Sequence, residues 1–276
     1  MDQQKRSPLA QKEKGRLDGA WRALETGDFE SAAETAEVLV DETGRHPDAL
    51  QLLGAALVEL GFIRAGLGLL REAGDNVEDL PLSQCYEGIA YFERAQFIRA
   101  RRCFQAAVEK ETDFGYAYYG LGRCADFAKR YDLADRYYTH AYHLDPFSCP
   151  LPVRMQRSFF EAIVKEAIDL VPKELRDALV QIPVIVEELP DSKLLRVERP
   201  PLRPDILGIF VGRDMRERSS FSPPSPQEAL LIYQRNLELF CPTKEDLICE
   251  ISVTLTHEMG HALGIEEEDF REQGLE

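Results

Sequence analysis

The sequence predicts an α+β chain in two parts. An all-α solenoid of repeated helix pairs spans residues 13–148, and a small α+β domain of one helix, three strands and a terminal helix spans residues 153–276. Three observations carry this reading. Small residues recur with a period of 34 through the first part. Three short β-branched or apolar runs follow, separated by polar, proline-bearing segments. The last amphipathic stretch contains HEMGH at residues 257–261.

The repeat is read from four sets of positions. Ala20, Gly54, Gly88 and Gly122 are each 34 residues apart; Ala32, Gly66, Ala100 and Ala134 follow twelve positions later. Ala36, Leu70, Phe104 and Tyr138 come four further on, then Leu39, Ala73, Ala107 and Ala141. A small residue lets two antiparallel helices approach, and the larger ones fill the seams between them. The pattern resembles the tetratricopeptide repeat, in about four units. The fourth unit, with Leu121, Gly122, Tyr138 and Pro146, fits best. The first two are degenerate, since Gly66 falls in mid-helix and Glu78 stands where proline is usual. The resemblance implies a concave face built from the first helix of each unit. By the offsets that face carries Leu17, Trp21, Gln51, Ala55, Cys85, Ile89, Phe92, Tyr116, Tyr119 and Arg123. Such a face is a candidate groove for a protein or peptide, although aromatic residues at helical spacing are as readily core. His140 and His143, three apart, make only a weak metal pair.

Prolines 146, 150 and 152 punctuate the boundary. Residues 155–171 read as an amphipathic helix with Phe159, Phe160, Ile163, Val164, Ala167 and Ile168 on one side; residues 173–180 add a turn or two. Strands are expected at 182–186, with Pro183 near its start, at 206–212 and at 230–234. The joining segments 189–205 and 214–228 read as loops. Thr243 to Asp246 resembles a capping box for a helix running to about Leu263, and Gly264 is a natural left-handed stop.

On that terminal helix His257 and His261 are one turn apart, about 6 Å along the axis, so both imidazoles can lean toward one metal. Glu258 lies beside them, placed to act as general base toward a metal-activated water. A zinc of this kind takes three protein ligands and keeps one position open. The other three of the five histidines lie in the repeats, and Cys249 is about 12 Å up the helix, too far to share the metal. In the longer H-E-x-x-H-x-x-G-x-x-H signature the third ligand falls three residues past the glycine. Here that position is Glu267, with Asp269, then Glu266 and Glu268, as alternatives.

These residues resemble the minimal zincin-like metallopeptidase family over residues 155–276. The shared segments, in order, are FFEAIVKEAIDLVP, VIVEEL, ILGIFVG, LLIYQRN and HEMGHALGIEEEDF. The resemblance implies Zn2+ at His257 and His261, Glu258 as the catalytic residue, and Glu267 where many members carry aspartate. It also implies a substrate backbone laid along an edge strand, with 206–212 and 230–234 as candidates. The expected activity is zinc-dependent peptide hydrolysis, with the repeats recruiting a protein substrate or adaptor. The alternative is a protein-interaction scaffold whose zinc domain is catalytically silent.

Composition narrows the partners. A formal net charge of -16, from 49 acidic against 33 basic residues, argues against nucleic acid or an anionic membrane surface. The stretch MDQQKRSPLAQKEKGR lacks the apolar core of a signal peptide. The apolar-rich run at 50–63 is broken by Gly54, Glu59 and Gly61 and does not suit a bilayer span. Six cysteines without a C-x-x-C pair fit a reducing, cytoplasmic setting. Oligomeric state has no signature in the sequence.

Overall fold

A computed structural model of the protein describes residues 8–76, 81–180, 182–197, 202–212 and 228–265. The chain divides into two compact units, Met1–Cys149 and Pro150–Glu276. None of the described helices is long and apolar enough to cross a membrane.

In the first unit the helices follow one another in antiparallel pairs. The pairs are α1 (Gln11–Glu25) with α2 (Phe29–Glu42), α3 (Pro47–Glu59) with α4 (Ile63–Asn76), α5 (Pro81–Glu93) with α6 (Phe97–Lys110), and α7 (Gly115–Phe127) with α8 (Tyr131–Leu144). The 34-residue period has a direct packing cause. A Cβ added at Gly54 would stand 2.8 Å from Leu70 Cγ, at Gly88 2.7 Å from the Phe104 ring, and at Gly122 2.8 Å from the Tyr138 ring. Each glycine is therefore the seat for the large side chain sixteen residues on, and Leu70, Phe104 and Tyr138 are all buried on these seats. Phe104 is also covered by Gly120, where a Cβ would approach to 2.5 Å. The mid-helix Gly66 has its own reason: a Cβ there would come 2.7 Å from the Gly54 carbonyl, so α3 and α4 meet backbone to backbone.

A second periodicity, in the turns, escapes the sequence. The residue at the bend within each pair is left-handed: Gly27 (φ +84°), Gly61 (+82°), Ala95 (+51°) and Lys129 (+56°). The N–H that follows donates back to the carbonyl five residues earlier in every pair, from Asp28 to Ala23 (2.9 Å), Phe62 to Leu57 (2.8 Å), Gln96 to Tyr91 (2.9 Å) and Arg130 to Ala125 (2.9 Å). Two of the four positions are not glycine, which hides the regularity.

The second unit holds α9 (Arg157–Ile168), α10 (Lys173–Leu179), β1 (Val184–Glu187), α11 (Leu194–Val197), β2 (Gly208–Val211), β3 (Ala229–Tyr233), α12 (Gln234–Phe240) and α13 (Lys244–Leu263). The helix–three-strand–helix order holds, with two additions: α11 lies in the segment 189–205 expected as a loop, and α12 begins at Gln234, expected as the end of the third strand, and continues through residues to which the sequence reading gave no element. The segment expected as a loop at 214–228 lies outside the described residues except for Glu228. β1 begins after Pro183, which has no N–H to give a ladder; its carbonyl instead accepts from Leu230 N–H at 3.0 Å. Phe159 stands outside the expected apolar face of α9, 52% exposed, with Lys244 Nζ 6.0 Å from its ring centroid.

The sheet order is β1-β3-β2, with β1 parallel and β2 antiparallel to β3. β3 is therefore internal, and among the described strands the 206–212 segment is the one of the two expected candidates that lies at an edge. The core gathers Phe160, Ile163 and Val164 of α9, Leu230 and Ile232 of β3, and Ile251, Leu255 and Met259 of α13. The buried Glu238 carboxylate ties residues 154 and 155 to α12. It accepts from Arg154 Nη1 at 2.9 Å, Met155 N–H at 3.2 Å and Gln234 Nε2 at 2.7 Å.

Candidate metal centre

The site stands on α13, and local chemistry explains the helix from end to end. Thr243 Oγ1 accepts from Asp246 N–H at 3.1 Å and donates to the Asp246 carboxylate at 2.6 Å. The aspartate thus takes the threonine hydroxyl where a longer glutamate would reach back to the backbone. At the other end Gly264 is left-handed (φ +80°, ψ 30°). Ile265 N–H closes on the Gly260 carbonyl at 2.8 Å and Gly264 N–H on His261 at 2.9 Å, the paired bonds of a Schellman stop. Between these ends, Leu247, Ile251, Leu255, Met259 and Ala262 are buried. His257, Glu258 and His261 lie off this stripe, the first two half-buried and His261 exposed.

The two imidazoles converge. His257 Nε2 and His261 Nε2 are 2.9 Å apart, with ring centroids 4.3 Å apart and planes at 89°. Two nitrogens at this separation can both face one cation at about 2 Å, so the pair fits a zinc ion. Among the described residues no group of three or more His, Cys, Asp or Glu gathers at one point. The expected third ligand Glu267 and its alternatives Asp269, Glu266 and Glu268 lie outside the described residues.

Glu258 turns toward the sheet. Its Oε2 accepts from the Phe210 backbone N–H on β2 at 2.8 Å. Burial raises its carboxyl above the usual range, opposed by the Phe210 N–H and the two nearby histidines. The free direction of that N–H follows from register. Tyr233 N–H donates to the Leu207 carbonyl at 2.8 Å, and Ile209 faces Leu231. In an antiparallel ladder the alternate residues Gly208 and Phe210 then turn their N–H and C=O groups outward. Gly208 brings this edge onto the helix: a Cβ there would stand 2.7 Å from Thr254 Cγ2 and 2.9 Å from the Leu231 carbonyl. Thr254 is one turn before Glu258, so the close seat at 208 sets the reach of the carboxylate to residue 210.

Sequence reasoning missed one part of this site. The Phe210 N–H is a backbone group and leaves no trace in residue type. Tyr233 closes β3 with a buried hydroxyl that has no hydrogen-bond partner among the described residues. Its ionisation is opposed first by burial, then by Glu187 and Glu258.

In the first unit the expected groove residues separate. Trp21, Cys85, Ile89 and Tyr116 line one cavity of about 660 Å3. Phe92 is instead buried, edge-on to Phe97 at 5.2 Å and Phe127 at 5.5 Å. Arg123 covers the Phe92 ring, with Cζ 4.1 Å from its centroid, and Tyr119 packs edge-on to Tyr138 at 5.1 Å. His140 packs on Tyr118 at 4.3 Å and His143 beside Tyr142 at 6.1 Å.

The fold and site define a tetratricopeptide-like helical repeat unit followed by a small α+β unit whose last helix carries an H-E-x-x-H pair of histidines. Residues 179–275 match the family described as zincin-like metallopeptidase. Similar solved structures include MamA 41-end from Desulfovibrio magneticus RS-1, 21% identical over 50% of this chain and 78% of that one, with a TM-score of 0.40. Another is TTC0263, a thermophilic TPR protein in Thermus thermophilus, 14% identical over 61% of this chain and 87% of that one, with a TM-score of 0.45. No curated protein matches the chain.

Proposed function

We propose that the chain is a zinc-dependent peptidase whose helical repeats recruit a protein substrate or adaptor. The observation that carries the reading is the convergence of His257 and His261 beside a carboxylate, Glu258, that is tied to an edge strand. His257 and His261 hold the metal, with Glu267 as the third ligand and Asp269 as its alternative. When bound, the ion supplies Lewis acidity toward a carbonyl and toward water.

The chain's own residues do the rest. Glu258 takes a proton from the attacking water and delivers it to the leaving amine. The Phe210 N–H fixes one carboxylate oxygen, which leaves the other to face the reacting atoms. A substrate backbone lies along β2 by strand addition. It pairs there with the outward Gly208 groups and the Phe210 carbonyl, since the Phe210 N–H is engaged. The protein acts in the cytoplasm.

The test compares cleavage of an unfolded protein substrate by the zinc-loaded chain, by the same chain with chelator, and by Glu258→Gln. Glutamine keeps an acceptor for Phe210 and removes the base. Cleavage is expected to fall about 10²–10⁴-fold with zinc content unchanged. A Glu258→Gln protein that retains zinc and the full rate would leave the scaffold reading in place of the enzyme.

A further inference from the structure

We propose that the cavity between α6, α7 and α8 is a socket for an aromatic side chain of a partner peptide, flanked in that peptide by acidic residues. This names the chemistry of what the repeats recruit and rests on that part of the reading above.

The repeat supplies its own template. In the groove between α4 and α6 the ring of Tyr91, on α5, is buried. Arg71 of α4 donates to its hydroxyl, and Arg71 and Arg99 flank the ring with Cζ 5.7 and 5.6 Å from its centroid. One period of 34 residues later these three positions, 91, 71 and 99, are Ala125, Gln105 and Leu133. All three line a cavity of about 340 Å3 in the next groove, between α6 and α8. A methyl group therefore stands where the preceding pair carries a phenol. The groove that Tyr91 closes in one repeat is open in the next.

Size and walls suit one ring. The volume lies at the low end of the roughly 300–1,000 Å3 of ligand pockets, enough for a single aromatic side chain and parts of its neighbours. Phe97 and Phe127 line it as a stacked pair, with centroids 4.1 Å and planes 17° apart. An entering ring finds there the offset and edge-on contacts that aromatic pairs favour. Ile98, which also lines the cavity, is 69% exposed and offers apolar surface to the residues beside the anchor.

Charge selects those residues. The charged side chains lining the cavity are Arg101 and Arg130, both exposed, and no described aspartate or glutamate lines it. Among the described residues neither guanidinium has an ion pair or a side-chain hydrogen bond. In a chain with a formal net charge of -16 this groove is a local exception. Burial pushes the Cys124 thiol in the cavity wall up to about 12, opposed by Arg123 and Arg101, so the Arg101 charge is felt inside. A basic segment would be repelled. A carboxylate beside the anchor meets a guanidinium fork that can hold it by two N–H bonds.

The full chain carrying Glu258→Gln, which keeps the probes intact, is titrated by calorimetry. The probes are three acetylated, amidated heptapeptides of serine and glycine with Glu-Phe-Glu, Glu-Ala-Glu or Gln-Phe-Gln at the centre. The Glu-Phe-Glu peptide is expected to bind saturably and at least tenfold more tightly than either of the others. Raising the salt concentration should weaken it toward the Gln-Phe-Gln peptide. Ala125→Tyr supplies the ring from within, as Tyr91 does one repeat earlier, and should abolish binding while helix content is kept. In the Arg101→Gln/Arg130→Gln double variant the Glu-Phe-Glu and Gln-Phe-Gln peptides should bind alike. If Ala125→Tyr fails to fold, the ranking of the three peptides and the double variant still decide the matter.

Equal binding of the phenylalanine and alanine peptides overturns the proposal, as does full binding by a folded Ala125→Tyr chain. Discrimination that survives the double substitution, or no saturable binding of any peptide, also overturns it. Tight Glu-Phe-Glu binding by a chain whose zinc-loaded, unaltered form cleaves nothing would fail the peptidase reading alone.

Discussion

The Glu258 carboxylate accepts a hydrogen bond from the Phe210 backbone N–H at 2.8 Å, across 48 residues of sequence. This bond joins the metal-site helix to the edge of the sheet, and Gly208 makes the approach possible by seating β2 on Thr254. It holds one oxygen of that carboxylate to the backbone of β2.

Gly208→Ala is expected to push β2 away from α13, because its Cβ would stand 2.7 Å from Thr254 Cγ2 and 2.9 Å from a backbone oxygen. Overpacking of this kind costs about 1–3 kcal/mol, readable as a lower urea midpoint. Cleavage should fall while zinc content stays the same, since His257 and His261 are not displaced by a shift of the strand. Thr254→Ser in the same chain, which removes the opposing methyl, should restore part of the loss.

The identity of the third ligand is open to direct measurement. Glu267→Ala is expected to weaken zinc about 10–100-fold or more, the scale on which even the supporting partners of metal ligands act. Asp269→Ala should leave the affinity within a factor of a few. Competition with a chromophoric chelator gives both numbers; the reverse ranking would assign Asp269.

The repeated left-handed turn predicts two stabilising substitutions. Ala95 and Lys129 occupy a conformation that suits glycine, at φ +51° and +56°. Ala95→Gly and Lys129→Gly should each raise stability by about 0.5–1 kcal/mol, the left-handed cost relieved exceeding the entropy lost by glycine. Lying in separate turns, the two effects should add. Gly61→Ala, at φ +82°, should act in the opposite direction. Thermal or urea unfolding checks all three.

One ion pair gives a pH dependence with a definite sign. Arg45 Nε and Nη2 each donate to Glu72 at 2.6 Å, and this bond lowers the Glu72 carboxyl below its ordinary value. Its contribution is present above the unfolded carboxylate range, about pH 4.3, and is lost as pH falls through the lower folded value. The pair is exposed, so the effect is small. Glu72→Gln should therefore be slightly less stable than the unaltered chain at pH 7 and equal to it near pH 2, in parallel urea titrations.

Much of this architecture is legible in the residues because it is local. Gly54, Gly88 and Gly122 meet Leu70, Phe104 and Tyr138 within a single helix pair, so the packing rule repeats as a spacing. The terminal helix is bounded by Thr243 and Gly264, whose side chain and backbone freedom act on their own neighbours. The groove was only half legible. Trp21, Phe92, Tyr116 and Tyr119 have the same residue character, yet Phe92 and Tyr119 are consumed by ring packing with Phe127 and Tyr138 while Trp21 and Tyr116 face a cavity.

By itself the sequence determined the helix-pair period, the helical setting of His257, Glu258 and His261, and the zincin-like match of residues 179–275. Each depends on which residue types recur along one helix or one short segment. Only the tertiary structure decided that β3 lies between β1 and β2, that the 206–212 strand is therefore an edge, that its Phe210 N–H meets Glu258, and that Ala125 lines a cavity with Arg101 and Arg130. Strand order and the direction of a backbone N–H arise from pairing between distant segments, and a periodicity of side chains carries no record of which distant backbone comes to lie beside it.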